Sequence, residues 1–191
     1  MTGLQLRTLR TADLSPGELH RLRTLLDDAF AGRFGDDDWS HALGGQHVLA
    51  TVAGEPVGHA SVVVRELTAG DTTLRTGYVE AVATSRAWRG QGIGWALMAE
   101  VERLIGAEFQ LGALSSSRQA VGLYTARGWT RWRGRVAART PAGVVDSPGE
   151  AVFVVSTPTT PPGLDPDDVL VCDWRPGDLW KLRRRPSRAG R

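Results

Sequence analysis

An apolar, β-prone run ends at Val82-Ala83-Thr84. A turn rich in Arg and Gly follows, Ser85-Arg86-Ala87-Trp88-Arg89-Gly90-Gln91-Gly92, and an amphipathic helix opens at Ile93-Gly94-Trp95-Ala96-Leu97-Met98. A strand that feeds a helix through such a turn builds an anion site. The first N–H groups of the helix have no internal acceptors, and the helix dipole adds partial positive charge there. Gly92 and Gly94 carry no side chain to hold a pyrophosphate away from the backbone, and Arg89 adds a full charge. Two other phosphate motifs are excluded by spacing. A G-x-G-x-x-G fingerprint would need its third Gly where Leu97 stands, and a Walker loop needs Gly-Lys-Ser/Thr, whereas Lys181 is the only lysine. The plain alternative is a strand-to-helix turn that binds nothing.

A chain of 191 residues suits one domain with a full core. No apolar run approaches the roughly 20 residues of a membrane span, and the start, Met1-Thr2-Gly3-Leu4-Gln5-Leu6-Arg7, lacks the apolar core of a secretory signal. Cys172 is the only cysteine, which excludes an internal disulfide and favours a cytoplasmic location. His20, His41, His47 and His59 show no metal-ligand spacing with it, so no metal is expected. The net charge of +2 hides a segregation: residues 140–180 hold seven acids and one base, and residues 181–191 hold six bases and no acid. The basic end reads as a solvated, disordered tail beyond a single domain over residues 1–180. A nucleic-acid or membrane contact through the tail is the sharper alternative, and it is not the expectation.

The elements follow in order. Leu4–Leu9 alternates as a strand. Ser15-Pro16-Gly17-Glu18 opens a helix with a capping box, running to about Phe30. Residues 32–46 read as a loop with a short helical turn near Trp39. His47–Ala53 and Val57–Glu66 form a hairpin, Leu74–Thr84 is the next strand, and a helix spans about Gly92–Gly106. Phe109–Leu114 is a strand and Ser116–Arg127 a helix stopped by Gly128. Trp129–Arg139 is a strand paired with Ala151–Ser156, and the Pro-rich run from Thr157 is irregular. This order implies a mixed, mostly antiparallel sheet flanked by helices on both faces, an α/β (α+β) fold.

The pattern Arg89-x-x-Gly92-x-Gly94 between strand and helix, in this element order, resembles the acyl-CoA loop of the Gcn5-related N-acetyltransferase (GNAT) superfamily. More specific segments are Gln110-Leu111-Gly112-Ala113-Leu114-Ser115-Ser116-Ser117, Leu123-Tyr124-x-x-Arg127-Gly128-Trp129 and Cys172-Asp173-Trp174-Arg175-Pro176-Gly177-Asp178-Leu179-Trp180. With Ala29-Phe30-Ala31-Gly32, Asp38-Trp39, Leu43-Gly44-Gly45 and Gly77-Tyr78-Val79-Glu80, they are similar to the aminoglycoside 2′-N-acetyltransferases of mycobacteria and related actinobacteria, from about residue 5 to 180.

The resemblance implies acetyl transfer from acetyl-CoA to the 2′-amine of an aminoglycoside, antibiotic resistance, and a homodimer. It makes Glu80 the base, acting through water, and Tyr124 the acid that protonates the leaving thiolate. A carboxylate in the apolar run Val79–Val82 is costly without a partner or a task, and partial burial would raise its pKa toward neutrality. The backbone of Val82, Ala83 and Thr84 would bond the pantetheine arm as an extra strand does, and Arg89, Gly90, Gln91, Gly92, Ile93 and Gly94 would hold the pyrophosphate. Asp38, Glu80, the Ala81 backbone, Ser115, Asp178 and Trp180 would meet the polycationic substrate, with Asp146 and Glu150 near an acidic loop. Two departures stand out: Arg33 occupies the position of a family acid, and eleven residues follow Trp180. The alternatives are transfer to an endogenous amino sugar or polyamine, and an acetyl-CoA-binding sensor without turnover.

Overall fold

The computed structural model describes residues 3–147 and 151–178. Its strands are β1 (Leu4–Arg10), β2 (Gln46–Val52), β3 (Glu55–Ala69), β4 (Thr72–Thr84), β5 (Leu111–Ser115), β6 (Thr130–Arg131), β7 (Val136–Thr140), β8 (Gly143–Asp146), β9 (Val152–Ser156) and β10 (Leu170–Asp173). The α-helices are α1 (Pro16–Ala29), α2 (Asp36–Ala42), α3 (Ile93–Glu108) and α4 (Val121–Ala126). The strands form one sheet in the order β6-β9-β5-β4-β3-β10-β7-β8, with β2 also on β3 and β1 on β2. Only β4–β5 and β10–β7 run parallel.

The alternation of β3 and β4 sorts two cores. Val62 and Val79 face α3, packing with Ile93, Leu97, Met98, Val101 and Ile105. Val63 and Tyr78 face the other way, with Leu67, Leu74 and Trp132. On β2 the same alternation turns Val48 and Ala50 toward α3 and Leu49 toward Leu14 and Leu22 of the α1 side. Helices therefore cover both faces. The α1 start is a capping box: the Ser15 hydroxyl accepts the Glu18 N–H at 3.3 Å, and the Glu18 carboxylate accepts the Ser15 N–H at 2.9 Å. No helix among the described residues is long and apolar enough to cross a membrane.

Three expectations change. The helix expected over Ser116–Arg127 is only Val121–Ala126, because the Ser116 N–H bonds across to Ala151 O at 2.9 Å and ties the preceding turn to β9. The strand expected over Trp129–Arg139 is two strands. The N–H groups of Arg133 and Gly134 both bond Pro166 O, and the Trp132 indole donates to Asp168 O at 2.8 Å, which draws the chain away from β9. β6 pairs with β9 while β7 pairs with β8 and β10. The segment after Thr157 is not wholly irregular: Leu170–Asp173 inserts as β10 between β3 and β7.

Candidate active site

The parallel ladder of β4 on β5 runs from Thr76↔Leu111 to Val79↔Leu114. β4 continues to Thr84 paired on its other side with β3. From Glu80 onward its β5-facing edge has no strand beside it among the described residues. The strand also bulges here. Ser61 opposes Glu80 and His59 opposes Ala83, so Ala60 faces both Ala81 and Val82. Ala81 takes φ +51°, a conformation non-glycine residues rarely adopt.

Buried histidines hold this bulge. His59 Nδ1 lies 2.8 Å from Ala81 O, and a carbonyl only accepts, so Nδ1 carries the proton. His59 Nε2 then accepts from His47 Nδ1 at 2.9 Å, and His47 Nε2 lies 2.8 Å from the Thr11 hydroxyl. Burial lowers the pKa of His47 to about 4 and of His59 to about 3, so both rings are neutral.

Beyond Thr84 the turn carries Gly90 and Gly92, both at φ +76°, and Gly92 caps α3 in the left-handed conformation. Only a residue without Cβ takes this shape without cost. The N–H groups of Ile93, Gly94 and Trp95 open the helix without intrahelical acceptors. The Ile93 side chain is buried in the core, so only its backbone is offered at the turn. The Arg89 guanidinium bonds Ala29 O at 3.0 Å and Thr84 O at 3.4 Å, tying the turn to α1 and β4. Gln91 bonds Ala87 O at 3.3 Å and covers the loop.

A cavity opens beside this edge, lined by Asp38, His41, Arg65, Tyr78, Glu80, Ser115, Cys172, Asp173, Arg175 and Asp178 among others. It gathers Asp38, Glu80, Ser115 and Asp178 from four separate stretches of sequence. The Glu80 carboxylate accepts from Arg175 Nη2 at 2.6 Å. Burial raises the Glu80 pKa, and the Arg175 charge opposes that rise. Asp178 accepts the Arg175 N–H at 2.7 Å and Arg65 Nη2 at 3.0 Å. Asp38 accepts the Gly35 N–H at 2.8 Å at the start of α2, and Ser115 Oγ lies 3.1 Å from the Tyr78 hydroxyl.

Other expected residues lie elsewhere. Tyr124 does not line this cavity. It is buried on α4 against Trp129 and Phe153, with ring centroids 6.2 Å from each, and burial raises its pKa to about 12. Arg127 fixes this helix through a bidentate pair with Glu102, which also accepts the Trp129 indole at 2.8 Å. Asp146 pairs with Arg135 at 2.8 Å on β8. Arg33 is exposed and bonds Phe30 O at 3.2 Å. Glu150, Trp180 and the basic tail lie outside the described residues.

Sequence reasoning missed Arg65 and Arg175. Arg65 follows Val63 and precedes Leu67 at the inward phase of β3, and it is 4% exposed. A charge at a core phase demands partners, and that signal was available. Its partners are Asp173 at 2.6 Å and Asp178. The C-terminal segment that brings them is pinned to α2 by His41 Nε2, 2.6 Å from Pro176 O.

Comparison with known proteins agrees with this architecture. An aminoglycoside 2′-N-acetyltransferase from Mycolicibacterium fortuitum is 44% identical over 178 residues, covering 91% of both chains. Among solved structures, an acyl-CoA N-acyltransferase from Pseudomonas aeruginosa superposes with TM-score 0.60 at 17% identity, over 81% of this chain and 100% of that one. A GNAT acetyltransferase from Brucella melitensis in complex with acetyl-CoA superposes with TM-score 0.53 at 18% identity, over 80% and 96%. The sequence model of the acetyltransferase (GNAT) family matches residues 7–129, well over half of the chain, and the chain belongs to that family.

Proposed function

We propose that the protein transfers acetyl from acetyl-CoA to the 2′-amine of an aminoglycoside. One observation carries the reading: Glu80 stands in a cavity lined by carboxylates, at the point where β4 parts from β5. The substrate class is supported by the relative that shares 44% identity, and carboxylates around the cavity favour entry of a polycation.

The residues present fit the co-substrate. The unpaired edge Val82–Thr84 offers backbone groups to an extended arm. The glycine turn and the first N–H groups of α3 offer an anion site for a pyrophosphate. When bound, acetyl-CoA supplies an activated acetyl thioester. Glu80, through water, takes one proton from the substrate ammonium, freeing the nitrogen lone pair to form the N–C bond as the C–S bond breaks; the second proton then leaves the nitrogen for water as the neutral amide forms. Tyr124 returns a proton to the departing sulfur; its high pKa keeps it protonated at neutral pH. Asp38, Ser115, Asp178, the Ala81 backbone and Trp180 orient the sugar. The same reading makes the protein a cytoplasmic homodimer that confers antibiotic resistance.

The test is thiol release from acetyl-CoA by the purified protein with gentamicin or tobramycin, which carry a 2′-amine, against kanamycin A, which carries a 2′-hydroxyl. Release with the amines alone supports both reaction and regiochemistry. No release with any of the three, while acetyl-CoA still raises the melting temperature, overturns the substrate and leaves the co-substrate site.

A further inference from the structure

Glu80 is a carboxylate held largely out of water, and such a group needs a cation beside it or gives up its charge. The polar groups that line the cavity with it are Tyr78 on β4 itself, Arg65 on β3, Ser115 on β5, Asp38 and His41 on α2, Ser147 after β8, and Cys172, Asp173, Arg175 and Asp178 on β10 and the segment after it, while β7 and β9 contribute only apolar side chains. Two of these are arginines. Arg65 is committed to Asp173 and Asp178. Arg175 reaches Glu80 at 2.6 Å, with the same Nη2 3.4 Å from Asp178 Oδ1. Its own bonding is incomplete. Nη1 reaches His41 O at 3.3 Å, and Nε is buried with no partner among the described residues. A guanidinium so placed is close to one critical carboxylate and loosely held elsewhere.

We propose that Arg175 is the resident counter-cation of Glu80: it keeps the carboxylate ionised in the free protein and yields its place to the ammonium of the substrate. The second half rests on the function proposed above. Nη2 sits between carboxylate oxygens of Glu80 and Asp178, the spot an entering ammonium is drawn to. An ammonium that takes the Glu80 oxygen now bonded by Nη2 at 2.6 Å meets a like charge there, and the repulsion between the two cations favours exchange of one for the other. The exchange conserves charge, and the cost of desolvating Glu80 is met on folding instead of on binding. It also sets specificity. A neutral ligand that displaced Arg175 would leave Glu80 buried and unpaired, whereas a cationic one would not. Arg175 is thus a positioning residue, acting through Glu80.

Carboxyl ¹³C NMR on glutamate-labelled full-length protein tests this without turnover, with Glu80→Gln identifying the signal. The Glu80 carboxyl is expected to titrate about one unit higher or more in Arg175→Gln than in the wild type, and to return in Arg175→Lys. In the wild type, tobramycin is expected to shift the Arg175 Nε signal together with the Glu80 carboxyl. An unchanged Glu80 titration in Arg175→Gln, with a wild-type melting curve, overturns the proposal. So does an Arg175 signal that stays still while tobramycin moves the Glu80 carboxyl. If Arg175→Gln fails to fold, the tobramycin arm on the wild type decides alone. Loss of thiol release with every amine would sink the proposed function yet leave the titration of Glu80 by Arg175 intact, so the two failures are distinguishable.

Discussion

A Cβ on Gly177 would fall 2.5 Å from the Cβ of Asp37, and Gly177 itself sits at φ +90°. The turn that carries Arg175 and Asp178 thus lies directly on the first turn of α2. Gly177→Ala adds both a steric overlap and the cost of a left-handed residue, about 1–2 kcal/mol. We expect the segment to lift: kcat/KM for the amine falls about tenfold or more, the melting temperature falls by a few degrees, on the order of what that cost implies, and acetyl-CoA affinity by calorimetry is unchanged.

Glu80→Gln keeps the shape and removes the proposed base. Turnover is expected to fall roughly 10²- to 10⁴-fold, with acetyl-CoA affinity retained. Tyr124→Phe keeps the ring packed against Trp129 and Phe153 and, with Tyr124 as the proposed acid, is expected to slow the transfer step. Burial raises the Glu80 pKa, and the base acts deprotonated, so the acidic limb of kcat/KM in the wild type is expected above the ordinary carboxylate range. Steady-state rates across pH check all three, and variants indistinguishable from wild type would remove the assigned acid and base.

Gly92 at φ +76° places the first N–H groups of α3. Gly92→Ala strains that cap by about 1 kcal/mol. The expected outcome is a several-fold weaker acetyl-CoA affinity by calorimetry, with the saturated turnover little changed.

His47 and His59 have pKa values depressed to about 4 and about 3. The unfolded chain therefore binds protons that the folded chain refuses. The stability these rings contribute is complete above their unfolded pKa, near 6.5, and is lost as pH falls from there toward 4 and below. For His47 alone the loss is on the order of 3 kcal/mol. Urea midpoints measured from pH 7.5 to 4.5 should fall, and His59→Phe should flatten the curve.

The Arg-Gly turn and the capping box were legible because local chemistry dictates them: Gly92 has no competitor at a left-handed cap, and Ser15 and Glu18 bond within one turn. The alternation that sorts Val62 from Val63 was equally readable. The splitting of Trp129–Arg139 was not, because its cause is Pro166, more than thirty residues away. Neither was β10, four residues whose pairing depends on β3 and β7 already lying apart. Among site residues, Glu80 announced itself as a charge in an apolar strand, and Arg65 sent the same signal unread. Arg175 sent none. Its role exists only because the chain returns to α2 after β10. The bulge at Ala81 also left no mark, since an alanine there is held left-handed by His59 from the neighbouring strand.

The parting of β4 from β5 bears on how the protein should behave when purified. Those amides of residues 82–84 that point to this edge have no strand beside them among the described residues, so they should exchange with solvent earlier than those of Thr76 to Val79, which lie between β3 and β5. A ligand arm that fills the gap finishes the sheet. By mass action it raises the unfolding free energy by about 2.7 kcal/mol at a hundred times its dissociation constant. Thermal stability would then report how much co-substrate surrounds the protein, and the shelf life of a preparation would follow its ligand content.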